Sequence, residues 1–356
     1  MKEKQNILIT GGGAPGIGGT IYSLLHNDEG TKFNIVTTDI KKEVAGKYLS
    51  SAFYQIPPAV EEKAYLEKLS WICQKENIRI IIPQNTAELT VLSKNLSLFE
   101  KTGTKILISP YEAIKTANDK YRLMQLCRKA GIPVAQFFLV DKIEALKNKA
   151  VELGYPAMPV VIKPPASNGM RGVRVIDEKT DIKSEFYQKK SSLHITMNML
   201  ESILGQNFPP LIVMEYLPGL EYTVDVLKTG KDEYILPRKR LEIRNGITFS
   251  GAMDNNKQII QYTSKILEQL DLKYCFGFQF KCDSEGTPKI LECNPRVQGT
   301  MVMSTLAGAN IIYAGIKALL NEPLPPMEVN WNFRFYRYWG GLGVFDSTTK
   351  DIIKIC

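Results

Sequence analysis

Histidine is scarce in this 356-residue chain: only His26 and His194 occur, and neither stands at metal-ligand spacing from a partner. A zinc site and a histidine-dependent serine or cysteine triad are therefore not expected. The six cysteines, Cys73, Cys127, Cys275, Cys282, Cys293 and Cys356, form no C-x-x-C pair and mostly sit in apolar runs. They read as reduced, buried thiols of a cytoplasmic protein, not as a disulfide framework. No apolar run approaches the length of a membrane span, and MKEKQN leads into only four strand-like residues before glycines, too short for a signal core. No long Lys/Arg block carries interleaved aromatics, so neither membrane nor nucleic acid is expected as a partner. Repeats and low-complexity tracts are likewise absent.

What is present is an ordinary globular composition, 44% hydrophobic and 23% charged, with a net charge of +8 that suits an anionic ligand. Up to about residue 112, short apolar strands alternate with helical stretches (ILIT, FNIVTTD, a helix over 63–75, IRIIIP, a helix over 86–99, KILIS), the rhythm of a parallel sheet with covered faces. The alternation stops over 110–118. Beyond it come a helix over 120–130, a hairpin over 160–176, a polar helical insert over 181–204, and antiparallel strands with turn glycines. Helices over 258–270 and 301–320 flank the strands FGFQFKCD and PKILECNPR. The first half reads as α/β and the second as α+β.

The stretch ILITGGGAPGIGGT, residues 7–20, fits G-x-G-x-x-G at Gly11, Gly13 and Gly16, with Asp39 where a ribose-binding acid is expected. A dinucleotide site is one reading, and Tyr111 with Lys115 adds a Tyr-x-x-x-Lys that resembles short-chain dehydrogenases. Yet the glycine stretch is one residue too long for that loop, Tyr111 comes too early, and residues 120–320 stay unexplained. The alternatives are an anion-binding loop for the substrate, or a turn that sheet packing demands.

The sharpest chemical signal is KILECNPRVQGT, residues 289–300. On a strand, positions i and i+2 share a face, so Glu292 and Asn294 present two oxygens together, with Arg296 next if the strand continues. Gln279, on the preceding strand, offers a third oxygen. A hard cation such as Mg²⁺ takes such donors and keeps substrate phosphates in its shell; the bland reading is the polar end of a strand stopped by Pro295. Lys163 ends PVVIK before a loop whose Gly169 and Gly172 let backbone N–H groups approach phosphate. Lys120 opens a helix, where a solvated lysine is the simpler reading. Glu215, Tyr216 and Leu217 could offer backbone groups to adenine and Glu221 could reach ribose, against the alternative of an ordinary hinge. The segments PRKRLEIR (Arg238, Arg240, Arg244) and FRFYRYW (Arg334, Arg337) either line an anionic acceptor pocket or are half-buried strands.

The order Lys120, Lys163 with its glycine loop, MEYLPGLE, Gln279 and LECNPR resembles the ATP-grasp superfamily, closest to one synthetase half of the carbamoyl-phosphate synthase large subunit. The resemblance implies a Rossmann-like parallel-sheet domain (1–112), an ATP-grasp fold (113–325) with a lid subdomain (about 125–215) and an antiparallel-sheet C-terminal subdomain, and a terminal segment (326–356). It further implies that Lys120 and Lys163 bind ATP phosphates under the loop Ser167, Gly169, Gly172 and Val173. Glu215, Tyr216 and Leu217 would hold adenine, and Glu221 ribose. Gln279, Glu292 and Asn294 would hold Mg²⁺ (or Mn²⁺), and Arg296 would act with Lys163 in catalysis. Gln279 replaces the acid of many members, which puts a second metal in doubt. The implied activity is that of an ADP-forming carboxylate-amine ligase acting on small-molecule acid and amine substrates; a homodimer is compatible with it. A non-catalytic ATP-binding module and an NAD(P)-dependent dehydrogenase are the rival readings. A single grasp unit, no visible glutamine-hydrolysing segment and an end at Cys356 suggest a stand-alone ligase.

Overall fold

A computed structural model describes residues 4–167, 170–187, 193–338, 340–344 and 352–355. The chain forms two compact units. Met1–Ala117, Tyr222–Phe278 and Cys293–Cys356 make one; Asn118–Glu221 and Gln279–Glu292 make the other.

The first unit begins with a five-stranded parallel sheet in the order Ala52–Gln55, Phe33–Asp39, Gln5–Thr10, Ile80–Ile82, Lys105–Ile106. Its central strands carry consecutive apolar residues, Ile7–Ile9, Ile35–Val36 and Ile80–Ile82, because both faces are covered. Successive side chains point to opposite faces, so Ile7, Ile9, Ile80 and Ile82 enter one core while Leu8 and Ile81 enter another. From Tyr222 on, the same unit holds the antiparallel ladder of Glu221–Lys228, Glu233–Arg244, Ile247–Met253 and Arg334–Tyr336. Tyr274–Cys282 and Pro288–Asn294 complete that sheet, and each is divided between the units. Within it Arg238 is wholly enclosed, its guanidinium giving two bonds to Asp225, at 2.7 and 2.8 Å, and one to Thr300 Oγ1 at 3.1 Å.

The second unit carries a mixed sheet in the order Phe137–Lys142, Asn207–Glu215, Val160–Lys163, Arg174–Ile176, His194–Ile195, antiparallel except for its last pair. Val160, Ile162, Val213 and Leu200 lie in its core. A C-terminal hairpin pairs Gly341–Val344 with Ile352–Ile355.

Several expected elements divide or extend. The helix expected over 86–99 is two, Thr86–Lys94 and Leu96–Glu100, because the Asn95 side chain caps back onto Val91 O at 2.9 Å. The one expected over 301–320 also breaks into Val302–Leu306 and Ile311–Leu319: Gly308 takes φ +96° and Asn310 caps the second piece, accepting from Tyr313 N. The region over 110–118, where alternation stops, holds the helix Tyr111–Ala117. The polar insert contains two helices, Ile182–Tyr187 and Met197–Leu204, and the strand His194–Ile195 between them; residues 188–192 lie outside the described residues.

The glycine run proves to be a packing surface. The helix Ile17–Leu25 starts where a Cβ on Gly16 would lie 2.3 Å from Gly299 Cα, and one on Gly19 would lie 2.9 Å from Val302. The helix therefore approaches the segment after the NPR motif more closely than any side chain permits. Gly18, in contrast, faces outward with only Leu49 Cδ1 at 4.0 Å. Gly16→Ala is expected to destabilise by about 1–3 kcal/mol through overpacking. Gly18→Ala should be stabilising by about 0.5–1 kcal/mol, as it removes a helix-interior glycine. Urea denaturation of the two variants checks the opposite signs.

Candidate active site

Within the second unit, strand and helix ends bring two lysines and two acids together. Lys163 is the last residue of Val160–Lys163 and is 5% exposed; its ammonium donates to Leu291 O at 3.3 Å. Lys120 opens the helix Lys120–Lys129, whose N-cap Asp119 accepts from Arg122 N at 3.1 Å. It is buried, not solvated as its position suggested: its Nζ donates to Ser167 O at 2.7 Å and stands 3.3 Å from Glu292 Oε2. Its backbone N–H also donates to Pro165 O at 2.9 Å, tying the helix start to the loop after Lys163.

Burial pushes the Lys163 ammonium down to about 8; Glu292 and Glu221 oppose this, and the like charge of Lys120 adds to it. A desolvated cation beside a second cation is a site prepared for negative charge. Glu292 and Gln279, both half-buried, offer oxygens in this unit. Gly172 adopts φ +74°, and a Cβ there would meet Pro164 at 2.7 Å, so the loop after Lys163 needs glycine at that point. Ser167 and Val173 are half-buried, whereas Gly169 lies outside the described residues.

Beyond these, Leu217 is buried at 3% exposure, and Glu215 and Tyr216 are half-buried at the end of Asn207–Glu215. Two lysines that sequence reasoning passed over attend this turn. Lys289 pairs with Glu215 at 2.6 Å and with Asp283 at 3.4 Å, and Lys281 lies 5.5 Å from the Tyr216 ring centre. Their only signal was a lysine inside a strand, Lys281 two residues after Gln279 and Lys289 before ILECN.

Asn294 and Arg296 belong to the first unit. Arg296 donates to Asn294 Oδ1 at 3.2 Å, to Val297 O at 3.1 Å and to Thr86 Oγ1 at 3.0 Å. In the glycine loop, Gly12 N donates to Thr38 O, Ala14 N to Gly11 O, and Gly13 N to Asp39 Oδ2 at 2.8 Å. These N–H groups are thus engaged by the protein itself, and Asp39, which also accepts from Lys41 N, braces the turn. Glu88 accepts a hydrogen bond from Thr10 Oγ1, and burial raises its carboxyl to about 7. Lys115 lies 5.9 Å from the centre of the Tyr111 ring and pairs with Glu112.

Among the arginines considered for an acceptor pocket, Arg238 is consumed by Asp225 as described. Arg240 is 6% exposed and donates to Thr248 Oγ1 and Gly246 O, Arg244 pairs with Glu242, and Arg337 donates to Thr248 O at 3.4 Å. Arg238, Arg240 and Arg337 are thus engaged by the protein itself, whereas Arg244 and Arg334 are exposed.

Comparison with known proteins finds two family matches. Residues 7–107 match the family described as PylC-like, N-terminal domain, and residues 207–336 match that described as ATP-grasp in the biosynthetic pathway with Ter operon. The chain has an ATP-grasp fold. The ATP-grasp chain is 24% identical over 274 residues to the carbamoyl phosphate synthase large chain of Clostridium acetobutylicum, covering 74% of itself and 24% of that protein. With the arginine-specific large chain of Bacillus subtilis it shares 24% over 348 residues, covering 92% of itself and 31% of the relative. It therefore spans about a quarter to a third of these relatives. Among solved structures, biotin carboxylase from Campylobacter jejuni in complex with β,γ-ATP superposes with a TM-score of 0.68 at 20% identity, covering 93% of this chain and 74% of that one. N5-carboxyaminoimidazole synthetase from Staphylococcus aureus with ADP gives 0.66 at 19%, covering 92% and 81%.

The charge burial makes a stability prediction. Below pH 8 the buried cation destabilises the protein, so Lys163→Met should stabilise it there by about 1–3 kcal/mol. Between pH 8 and the ordinary lysine value of 10.5 the unfolded chain holds a proton that the folded one has released. The stability of the unsubstituted protein therefore rises with pH across that window. The difference from Lys163→Met should shrink over the same range, as followed by denaturant titrations at pH 7, 9 and 10.5.

Proposed function

We propose that the protein is an ADP-forming ligase that uses ATP and Mg²⁺ to activate a carboxylate as an acyl phosphate, which an amine or similar nucleophile then attacks. The observation that carries this reading is the pair of buried ammoniums, Lys120 and Lys163, gathered with Glu292 in one unit. Buried charge of this kind is costly unless a ligand of opposite charge uses it.

The reading gives each group a task. Lys120 and Lys163 hold the ATP phosphates, with Ser167, Gly172 and Val173 from the intervening loop; Gly169 shares that task in the proposal. Glu215, Tyr216 and Leu217 receive adenine, and Glu221 ribose. The donors for Mg²⁺ (or Mn²⁺) are Gln279, Glu292 and Asn294. They fit a hard cation in being oxygens, but with one carboxylate among them they leave much of the shell to substrate phosphates. When bound, the cation would neutralise charge on the phosphates. Arg296 is assigned the charge that spreads over the transferred phosphoryl group, with its guanidinium oriented by Thr86 and Asn294.

A carboxylate is a poor acyl donor because its leaving group would be oxide; phosphorylation supplies a better one. The protein's share is positioning and charge neutralisation, which needs no histidine. The division of the chain near residue 112, with a lid subdomain over about 125–215, belongs to the same proposal. So do a cytoplasmic setting and a homodimer. Cys73, Cys127, Cys275, Cys282 and Cys293 are buried. No described helix is long and apolar enough to cross a membrane.

Mg²⁺ with ATP should raise the melting temperature by mass action, and NAD or NADP should not; the opposite pattern would sink the reading. ADP release is then measured against carboxylates crossed with amines. Glu292→Ala should abolish it, and turnover near the unsubstituted rate would remove Glu292 from the mechanism. Protonated Lys163 is the phosphate-binding form, so ATP affinity should fall as pH rises through about 8. In Lys163→Met that dependence should vanish, which calorimetric titration reads directly.

A further inference from the structure

The hairpin that carries Glu292 also grips the segment 215–220 in four places, all within the second unit. Gly219 N donates to Cys282 O at 2.9 Å and Cys282 N donates to Leu220 O at 3.0 Å. A Cβ on Gly219 would lie 2.7 Å from Cys282 O, so the approach is closer than a side chain allows. Lys281 sits over Tyr216 at 5.5 Å from the ring centre. Lys289 holds the Glu215 carboxylate at 2.6 Å.

The last of these is an electrostatic arrangement as well as a tie. Asp283 spends its Oδ1 on the turn, accepting from Glu285 N at 3.0 Å and Thr287 N at 2.9 Å, and turns its Oδ2 to Lys289 at 3.4 Å. One ammonium thus stands between two carboxylates, with side chains only 18 to 28% exposed. Without it, the Glu215 carboxylate would be left beside the segment proposed to receive the base.

That matters because adenine and guanine differ at the edge such a segment meets. Adenine offers an amino group and a ring nitrogen that accepts; guanine offers a carbonyl, a ring N–H and an amino group. A carboxylate only accepts hydrogen bonds, so an unpaired Glu215 would favour guanine's adjacent N–H donors. Denying a competitor its partner is one way a site gains selectivity.

Resting on the ATP reading above, we propose that Lys289 is a positioning and specificity-determining residue for the nucleotide base. By holding and neutralising the Glu215 carboxylate, it leaves backbone groups to read adenine and withholds the acceptor that guanine would use.

The test is calorimetric binding of Mg²⁺·ATP, Mg²⁺·GTP and Mg²⁺·tripolyphosphate to the full chain and to Lys289→Met, Glu215→Gln and the double variant. The unsubstituted protein should prefer ATP. Lys289→Met should shrink the ATP-to-GTP affinity ratio by about tenfold, with GTP binding strengthened. Adding Glu215→Gln to Lys289→Met should restore the ratio, and tripolyphosphate affinity should stay unchanged throughout. An unchanged ratio in Lys289→Met overturns the inference and leaves the ATP site standing. Equal ratios in Lys289→Met and the double variant also overturn it, since a merely structural tie would give that result. If the unsubstituted protein binds no Mg²⁺·ATP, the site reading and the inference fall together. Lys289→Gln is read by the same criteria should the methionine variant not fold.

Discussion

The burial of the Lys163 ammonium is the constraint around which the second unit is arranged. A strand must end with that residue inside, Leu291 must offer its carbonyl, and Glu292 and Glu221 must lie near enough to oppose the desolvation. Lys120, held by Ser167 O and Glu292, adds a second cation where electrostatics alone would exclude one. Such an arrangement costs stability, and an anionic ligand would offset that cost. The strand after the turn SEGTP serves this centre twice, through Leu291 and Glu292, and holds Glu215 through Lys289.

The first unit is organised by packing rather than by charge. Gly16 and Gly19 let the first helix lie against Gly299 and Val302, close to the motif that bears Arg296. Thr86, at the start of its own helix, receives a bond from that arginine. Asp39 fills the hydrogen-bonding capacity of Gly13 and Lys41, which a dinucleotide reading would have assigned to a cofactor. Thus a glycine pattern that matches a nucleotide fingerprint in spacing can arise from two pieces of backbone needing to touch.

Much of the fold was legible. In IRIIIP and FNIVTTD the consecutive apolar residues Ile80–Ile82 and Ile35–Val36 leave neither face polar, as a parallel sheet covered on both faces requires, and the turn glycines separated the later strands. The breaks were harder to read. Asn95 and Asn310 are ordinary polar residues in helical periodicity until their side chains are seen to cap, and Gly308 has room for no Cβ because Glu328 O would lie 2.2 Å away. Likewise Arg238 looked like a ligand-binding arginine; nothing in PRKR says that Asp225, thirteen residues earlier, would meet it on the neighbouring strand.

The sequence by itself determined the succession of chemistry-bearing segments, because each is local: a strand ending in lysine before a glycine loop, an acid and an amide two residues apart, an arginine after proline. Tertiary structure decided what each charge experiences. Whether Lys120 is solvated or buried, whether Asp39 serves a ligand or a turn, and which lysine answers Glu215 all depend on distant residues. Desolvation and ion pairing are set by the neighbours that folding supplies, and those neighbours leave no trace in local spacing.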